Sequence, residues 1–322
     1  MTRVNTERID YDELGLFHEN AEEYAIPYPC PPAVEREWIK VDKTRELSAL
    51  RWGTEAPKVV FLHGGAQNAH TWDTVVLAMN AARTDEDLPI PALCIDLPGH
   101  GHSSSAAPHD PNVTAPLQQN AADIARVIGA LAPSAEVIVG MSLGGLHSIA
   151  LSRDWPDLVR RMVLVDITPG VNQEKTKQIT DFVNGPATFP SFEELLERTI
   201  QFNPTRSVAS LRRGILHNAL QTAEGHWVWR YRRDDAPALP EADGKVQRPD
   251  AGALWNVVGN FAKPLMFVRG MRSQSVVSDE DEAELRKRAP HARIEHFAEA
   301  GHSVQGDMPL ELATAIRDFA AL

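Results

Sequence analysis

The sequence predicts an α/β protein: a mostly parallel central sheet flanked by helices, with a helical segment inserted after the sixth strand. Three observations carry that prediction. Apolar runs of strand length alternate with helical stretches over most of the 322 residues, the signature of strand–helix–strand units. The central runs, such as KVVFL and EVIVG, are almost continuous in Val, Ile and Leu. Strands of that kind are buried on both faces, as in a parallel sheet covered by helices. The stretch 170–250 breaks the rhythm.

In chain order, residues 1–35 read as an N-terminal extension that ends in Pro27, Pro29, Pro31 and Pro32, which favour extended chain. The extension is expected either to cover the core or to contact a second subunit of a homo-oligomer. Strands are expected at 36–42, 47–52, 58–62, 92–96, 136–140, 161–166, 264–269 and 293–297. Helices are expected at 71–82, 117–131, 143–154, 279–289 and 308–320. The core domain is therefore 36–169 with 251–322, and 170–250 is a helical cap carrying amphipathic patches at 173–183, 191–201 and 205–221.

Composition narrows the function. Hydrophobic residues make up 43% of the chain, enough for a sizeable core. Acidic residues outnumber basic ones 44 to 32, a net charge of -12, which argues against nucleic acid and against an anionic membrane surface. No run approaches the ~18 apolar residues of a membrane span, and the polar start MTRVNTERIDYDELG has no signal core, so a cytoplasmic protein is expected. Cys30 and Cys94 match neither a disulfide framework nor a metal spacing. His and acidic residues are not clustered at ligand spacings and no G-x-G-x-x-G occurs, so neither metal nor organic cofactor is expected.

Chemistry concentrates in three places. Gly140-Met141-Ser142-Leu143-Gly144 follows an apolar strand and precedes a helix, the context that G-x-S-x-G requires to act as a nucleophile elbow. The turn is too tight for side chains beside the serine, and the helix that starts there directs its N-terminal amides at developing negative charge. His302, in Ala300-Gly301-His302-Ser303, follows the last predicted strand, where a neutral imidazole can activate a serine hydroxyl. His63-Gly64-Gly65 ends the third strand.

These segments, with DLPGHGHS at 96–103, resemble the α/β-hydrolase superfamily in its capped branch over residues 36–322. The resemblance implies a Ser142 nucleophile, a His302 base, and an oxyanion hole from the backbone amides of Gly65 and Leu143. His63, His147 and Asp96 take structural roles in that reading. Many relatives place the triad acid in a G-x-x-D pattern after the seventh strand, but here Ser273 stands at that position. Asp166, at the end of the sixth strand, is favoured because a strand's C-terminal edge faces the site. Asp279 is the alternative, although it reads as the N-cap of the next helix.

Trp72, Met141, Trp227 and Trp229 are expected to line a pocket for a bulky apolar group, while Arg230, Arg232 and Arg233 read as a solvated face. A serine nucleophile points to a carboxylic ester or lactone, with an apolar or aromatic small molecule as substrate. It disfavours dehalogenase and epoxide hydrolase chemistry, which need a carboxylate nucleophile. Carbon–carbon hydrolases usually show HG-x-G-P-G where this chain has HGGAQN; an amide hydrolase is a further alternative. A non-catalytic small-molecule receptor on the same fold is opposed by the intact serine, histidine and oxyanion glycines.

Overall fold

The structure, a computed structural model, describes residue 9 and residues 11–81, 89–105, 116–170, 173–204, 206–231 and 250–321. In chain order its elements are α1 (Phe17–Glu23), β1 (Val34–Lys40), β2 (Glu46–Trp52), β3 (Val59–Leu62), α2 (Asp73–Ala81), β4 (Ala92–Ile95), α3 (Pro116–Leu131), β5 (Val137–Met141), α4 (Leu143–Asp154) and β6 (Met162–Val165). There follow α5 (Gln173–Val183), β7 (Thr188–Phe189), α6 (Phe192–Phe202), α7 (Val208–Asn218), β8 (Ala219–Gln221) and β9 (Trp227–Trp229). The chain closes with α8 (Ala251–Asn260), β10 (Leu265–Gly270), α9 (Asp279–Arg288), β11 (Arg293–Phe297), α10 (Val304–Asp307) and α11 (Pro309–Ala320).

Eight strands form one sheet in the order β1-β2-β4-β3-β5-β6-β10-β11. From β4 to β11 the neighbours are parallel; β2 runs antiparallel to both β1 and β4. The four-residue strands β3, β4 and β6 and the five-residue β5 are buried along their whole length, which is why they read as unbroken apolar runs rather than alternating ones. Two apolar layers result, one per face. One packs Ile124, Ile128, Ile149 and Leu164 with α3, α4 and α8; the other packs Phe61, Val75, Val139 and Ile316 with α2 and α11.

Between β6 and β10 the chain leaves the sheet. The three predicted helices are present as α5, α6 and α7, joined by a three-stranded sheet in the order β7-β9-β8 that the sequence pattern did not suggest. Strands of two or three residues are too short to show alternation. Phe189, Phe192, Leu195, Ile215 and Trp227 give this insertion a small core of its own.

The extension lies along the core and is tied to the insertion. Phe17 is buried against Trp52 with ring centroids 4.8 Å apart, and Ala21 and Ile26 join the same apolar layer. Tyr11 hydrogen-bonds His217 of α7 at 2.6 Å, and Glu23 pairs with Arg213 of the same helix. No described helix is long and apolar enough to cross a membrane.

Candidate active site

Ser142 sits between the last residue of β5 and the first of α4, with φ 50° and ψ -117°. That conformation is sparsely populated for a side-chain-bearing residue and costs about 1–3 kcal/mol. The surrounding turn enforces it. A β-carbon on Gly144 would collide with the Leu62 carbonyl of β3, and one on Gly140 would meet the Gly144 backbone. The elbow thus packs strand, turn and helix too closely for anything but glycine on either side of the serine.

The two candidate acids differ in where they sit. Asp166, fully buried just past β6, accepts His302 Nδ1 on Oδ2 at 2.9 Å. Its other contacts are donors as well: Gly270 N at 3.0 Å and Ser275 Oγ at 2.6 Å on Oδ1, and Val276 N at 3.1 Å on Oδ2. Four hydrogen-bonding groups converge on one carboxylate and fix its orientation. With Nδ1 bonded to Asp166, Nε2 is the nitrogen of His302 left for another partner. Gly270 and Ser275 belong to the loop where many relatives carry the acid; here that loop supplies hydrogen bonds instead. Asp279 lies elsewhere. It is the first residue of α9, 88% exposed and paired with Arg269 at 2.7 Å. Nor is it the cap: Ser278 caps α9, in a capping box with Asp281.

The loop after β3 is held from several sides. Gly64 N donates to Gln67 Oε1 at 3.1 Å, Ala66 N to His100 Nε2 at 3.1 Å, and Asn218 of the insertion donates to Ala66 O at 2.7 Å. The amide of Gly65 has no acceptor among the described residues. That of Leu143, opening α4, has no partner within its helix. His63 is buried beneath: its Nε2 accepts Leu97 N at 3.0 Å and its Nδ1 donates to Gly64 O at 2.7 Å. Burial, reinforced by His100, pushes its pKa down to about 3, so it is a neutral brace. Asp96 braces the next turn, accepting Ala69 N at 2.8 Å, His102 N at 3.1 Å and Arg36 at 2.7 Å. His147 is likewise buried, and burial lowers its pKa to about 3.

Ser142, His302, Gly65, Leu143, Met141 and Trp229 all line one cavity of about 880 Å³ between the sheet edge and the insertion. The two other tryptophans expected there do not reach it. Trp72 is completely buried, its ring against Phe61 at 4.8 Å. Trp227 faces the insertion's own core, edge-on to Phe192 at 5.1 Å. Both are large apolar groups that pack better inside than at a polar cavity wall. Arg230 corrects the expectation of a solvated face: it is half-buried, and burial lowers its pKa. Arg232 and Arg233 lie outside the described residues. The sequence reading also missed Ser275, His100 and Asn218, whose partners are distant in the chain.

A second polar cluster lies in the cavity wall. Ligand atoms, one each from His70, Asp73 and His217, all buried, lie within 4.8 Å of one another, a group that could hold a metal ion among the described residues. The spacing in sequence conceals them. Their atoms are already engaged: His70 Nδ1 with Asp73 at 2.8 Å, His70 Nε2 with Glu13 at 3.1 Å, and His217 Nδ1 with Tyr11. Burial opposes charge on both rings. For His70, Asp73 and Glu13 overcome it and raise the pKa to about 9. His217, stacked on His70 at 3.8 Å, is driven well below its ordinary value by burial and by that neighbour.

Comparison with known proteins agrees with this architecture. The chain is 43% identical to esterase Rv0045c of Mycobacterium tuberculosis, across 95% of each chain. The crystal structure of that esterase superposes with a TM-score of 0.77, covering 98% of this chain and 100% of the other. A more distant relative is the sn-1-specific diacylglycerol lipase ABHD11 of Xenopus laevis, 28% identical over 82% of this chain and 79% of its own. The family model described as the alpha/beta hydrolase family matches residues 59–315. The eight-stranded sheet agrees with that match, and the chain belongs to the alpha/beta hydrolase family.

Proposed function

We propose that the protein is a serine hydrolase that cleaves a carboxylic ester or lactone through an acyl-enzyme on Ser142. The observation that carries this reading is the Asp166–His302 hydrogen bond of 2.9 Å in a cavity that His302 shares with the strained Ser142. The 43% identity to an esterase supports the same bond type.

In this mechanism Nε2 of His302 takes the Ser142 hydroxyl proton as Oγ adds to the ester carbonyl. The negative charge that develops on the carbonyl oxygen is received by the amides of Gly65 and Leu143, at the N-terminal end of α4. Collapse expels the alcohol, which takes the proton back from His302. A water, deprotonated by the same nitrogen, then hydrolyses the acyl-enzyme and regenerates the serine. Asp166 stays ionised throughout, orients the ring and stabilises the imidazolium. The described part of the segment 170–250 acts as a cap over the cavity. Trp229, Phe182, Phe202 and Ile215 offer an apolar and aromatic wall for part of a small substrate.

The test is hydrolysis of a panel of nitrophenyl esters and aromatic lactones by wild type and Ser142→Ala side by side. Wild-type turnover that falls at least about 1000-fold in the variant is the expected result, on the scale seen when a triad member is removed. Wild-type turnover that survives intact in Ser142→Ala would overturn the assignment.

A further inference from the structure

Charge on the cavity wall runs opposite to charge on the molecule. The chain carries a net charge of -12, yet the described residues lining the cavity include Lys175, Arg206, Arg213 and Arg272 and, among carboxylates, Asp307 alone. Two of those cations are neutralised locally. Arg213 pairs with Glu23 and with Glu19 at 3.7 Å, and Arg272 pairs with Glu299 at 2.6 Å. Asp307 is itself occupied, accepting Gly301 N at 2.9 Å.

Arg206 has no carboxylate partner among the described residues, whereas Lys175 feels the charge of Glu280 without a hydrogen bond to it. Arg206 donates through one nitrogen to Ser210 Oγ at 2.6 Å. Its guanidinium lies against Gly306, where a β-carbon would collide with Nη1, so the glycine makes room for it. Gly306 is in the short helix α10 that follows His302. Lys175 reaches the carbonyl of Val277 at 3.1 Å, at the end of the loop that supports Asp166. Both cations come from the insertion and both are only half-buried. They are met by neutral acceptors that leave donor capacity directed at the cavity.

We infer that the substrate carries a carboxylate on the part lying under the insertion, and that Arg206 is the residue that recognises it. This rests on the ester-hydrolase reading and deepens it. A guanidinium presents a planar fork that matches a carboxylate bidentately. Positive charge inside a cavity of an acidic protein also focuses anions into it. Lys175 adds a second positive charge to the cavity wall. The substrate class is therefore a half-ester of a dicarboxylic acid, or an ester whose alcohol bears a carboxylate. The aromatic wall takes the intervening carbon chain.

The experiment compares a 4-nitrophenyl half-ester of glutaric acid with the neutral 4-nitrophenyl pentanoate, by wild type, Arg206→Gln and Arg206→Lys. The expected result is a wild-type kcat/KM at least about tenfold higher for the anionic ester, a preference that shrinks as salt is added. Arg206→Gln is expected to reduce the anionic-to-neutral ratio about tenfold, mainly through KM, and Arg206→Lys to retain part of it. The ratio cancels any general loss of folded enzyme. A wild-type ratio near one, or a ratio that Arg206→Gln leaves unchanged, would overturn the inference while the ester-hydrolase reading stands. Failure of wild type on both esters, with no labelling of Ser142 by a fluorophosphonate, would overturn that underlying reading instead.

Discussion

Asp166 shows how much one carboxylate is asked to do. Its two oxygens meet a backbone amide from each of two residues, a serine hydroxyl and the His302 imidazole. Replacing it with Asn exchanges two of those acceptor positions for donors facing donors, and leaves the wrong histidine tautomer favoured. Asp166→Asn is expected to lower kcat by about 10³–10⁴ with the fold retained. Asp279→Asn, which loses only an exposed pair with Arg269, is expected to stay within about twofold, since such pairs contribute little. Ester hydrolysis by the two variants decides it; an Asp166→Asn enzyme as active as wild type would remove the acid from this position. The pairing of Asp166 with His302 was legible because a residue at the C-terminal edge of a buried parallel strand has one place to point. What surrounds it was not. Ser275 lies 109 positions away in sequence, and no local pattern marks a hydroxyl as the partner of a distant carboxylate.

The loop 64–68 is an element without secondary structure of its own, and its geometry is borrowed. Ala66 adopts φ 61°, a left-handed conformation that a side-chain-bearing residue holds only when its neighbours insist. His100 takes its amide and Asn218 its carbonyl, so the insertion helps set the position of the Gly65 amide. Asn218→Ala is expected to lower kcat about tenfold while changing KM less, the effect of losing one well-placed hydrogen bond that acts on the transition state. An unchanged kcat would mean that the loop keeps its shape without α7. The strands of the large sheet and helices α2, α3, α4, α9 and α11 were legible to within about two residues, because β3, β5 and β6 are buried on both faces and α4 starts at a glycine-flanked serine; α8, which buries Leu254, Trp255 and Val258 in the core, was not expected. Helix α1 was not: Phe17, Ala21 and Ile26 are apolar only in short, separated doses, and their partners on β2 and α2 are supplied by tertiary contact. The strands β7, β8 and β9 fell below the length at which alternation can be seen.

At the scale of the molecule, buried histidines set the response to pH. His63, His100, His102, His147 and His217 all have pKa values lowered first by burial, to about 3 for His63 and His147 and about 4 for His102. In the unfolded chain each protonates near pH 6.5. The folded state therefore binds fewer protons as pH falls below that value. Each such histidine then costs about 1.4 kcal/mol of stability per pH unit until its folded pKa is reached. His70 has the opposite sign: with its folded value raised to about 9, its contribution is complete below pH 6.5 and is lost as pH rises through 9. Stability should therefore peak near neutrality and fall on both sides, more steeply in acid. Urea midpoints at pH 5, 7 and 9 measure this, and a midpoint at pH 5 equal to that at pH 7 would contradict it.

The tie between the extension and α7 has a consequence for how the molecule comes into being. Glu23 and Arg213 are 190 residues apart. A ribosome adding about 5–20 residues per second exposes the first some ten to forty seconds before it makes the second. Through that interval the leading segment has no α7 to hold, although Trp52 and the strands beneath it are already available. Assembly of the cavity is thus ordered in time: the floor is laid first, and the beginning of the chain can fasten the roof only after most of the rest has been made.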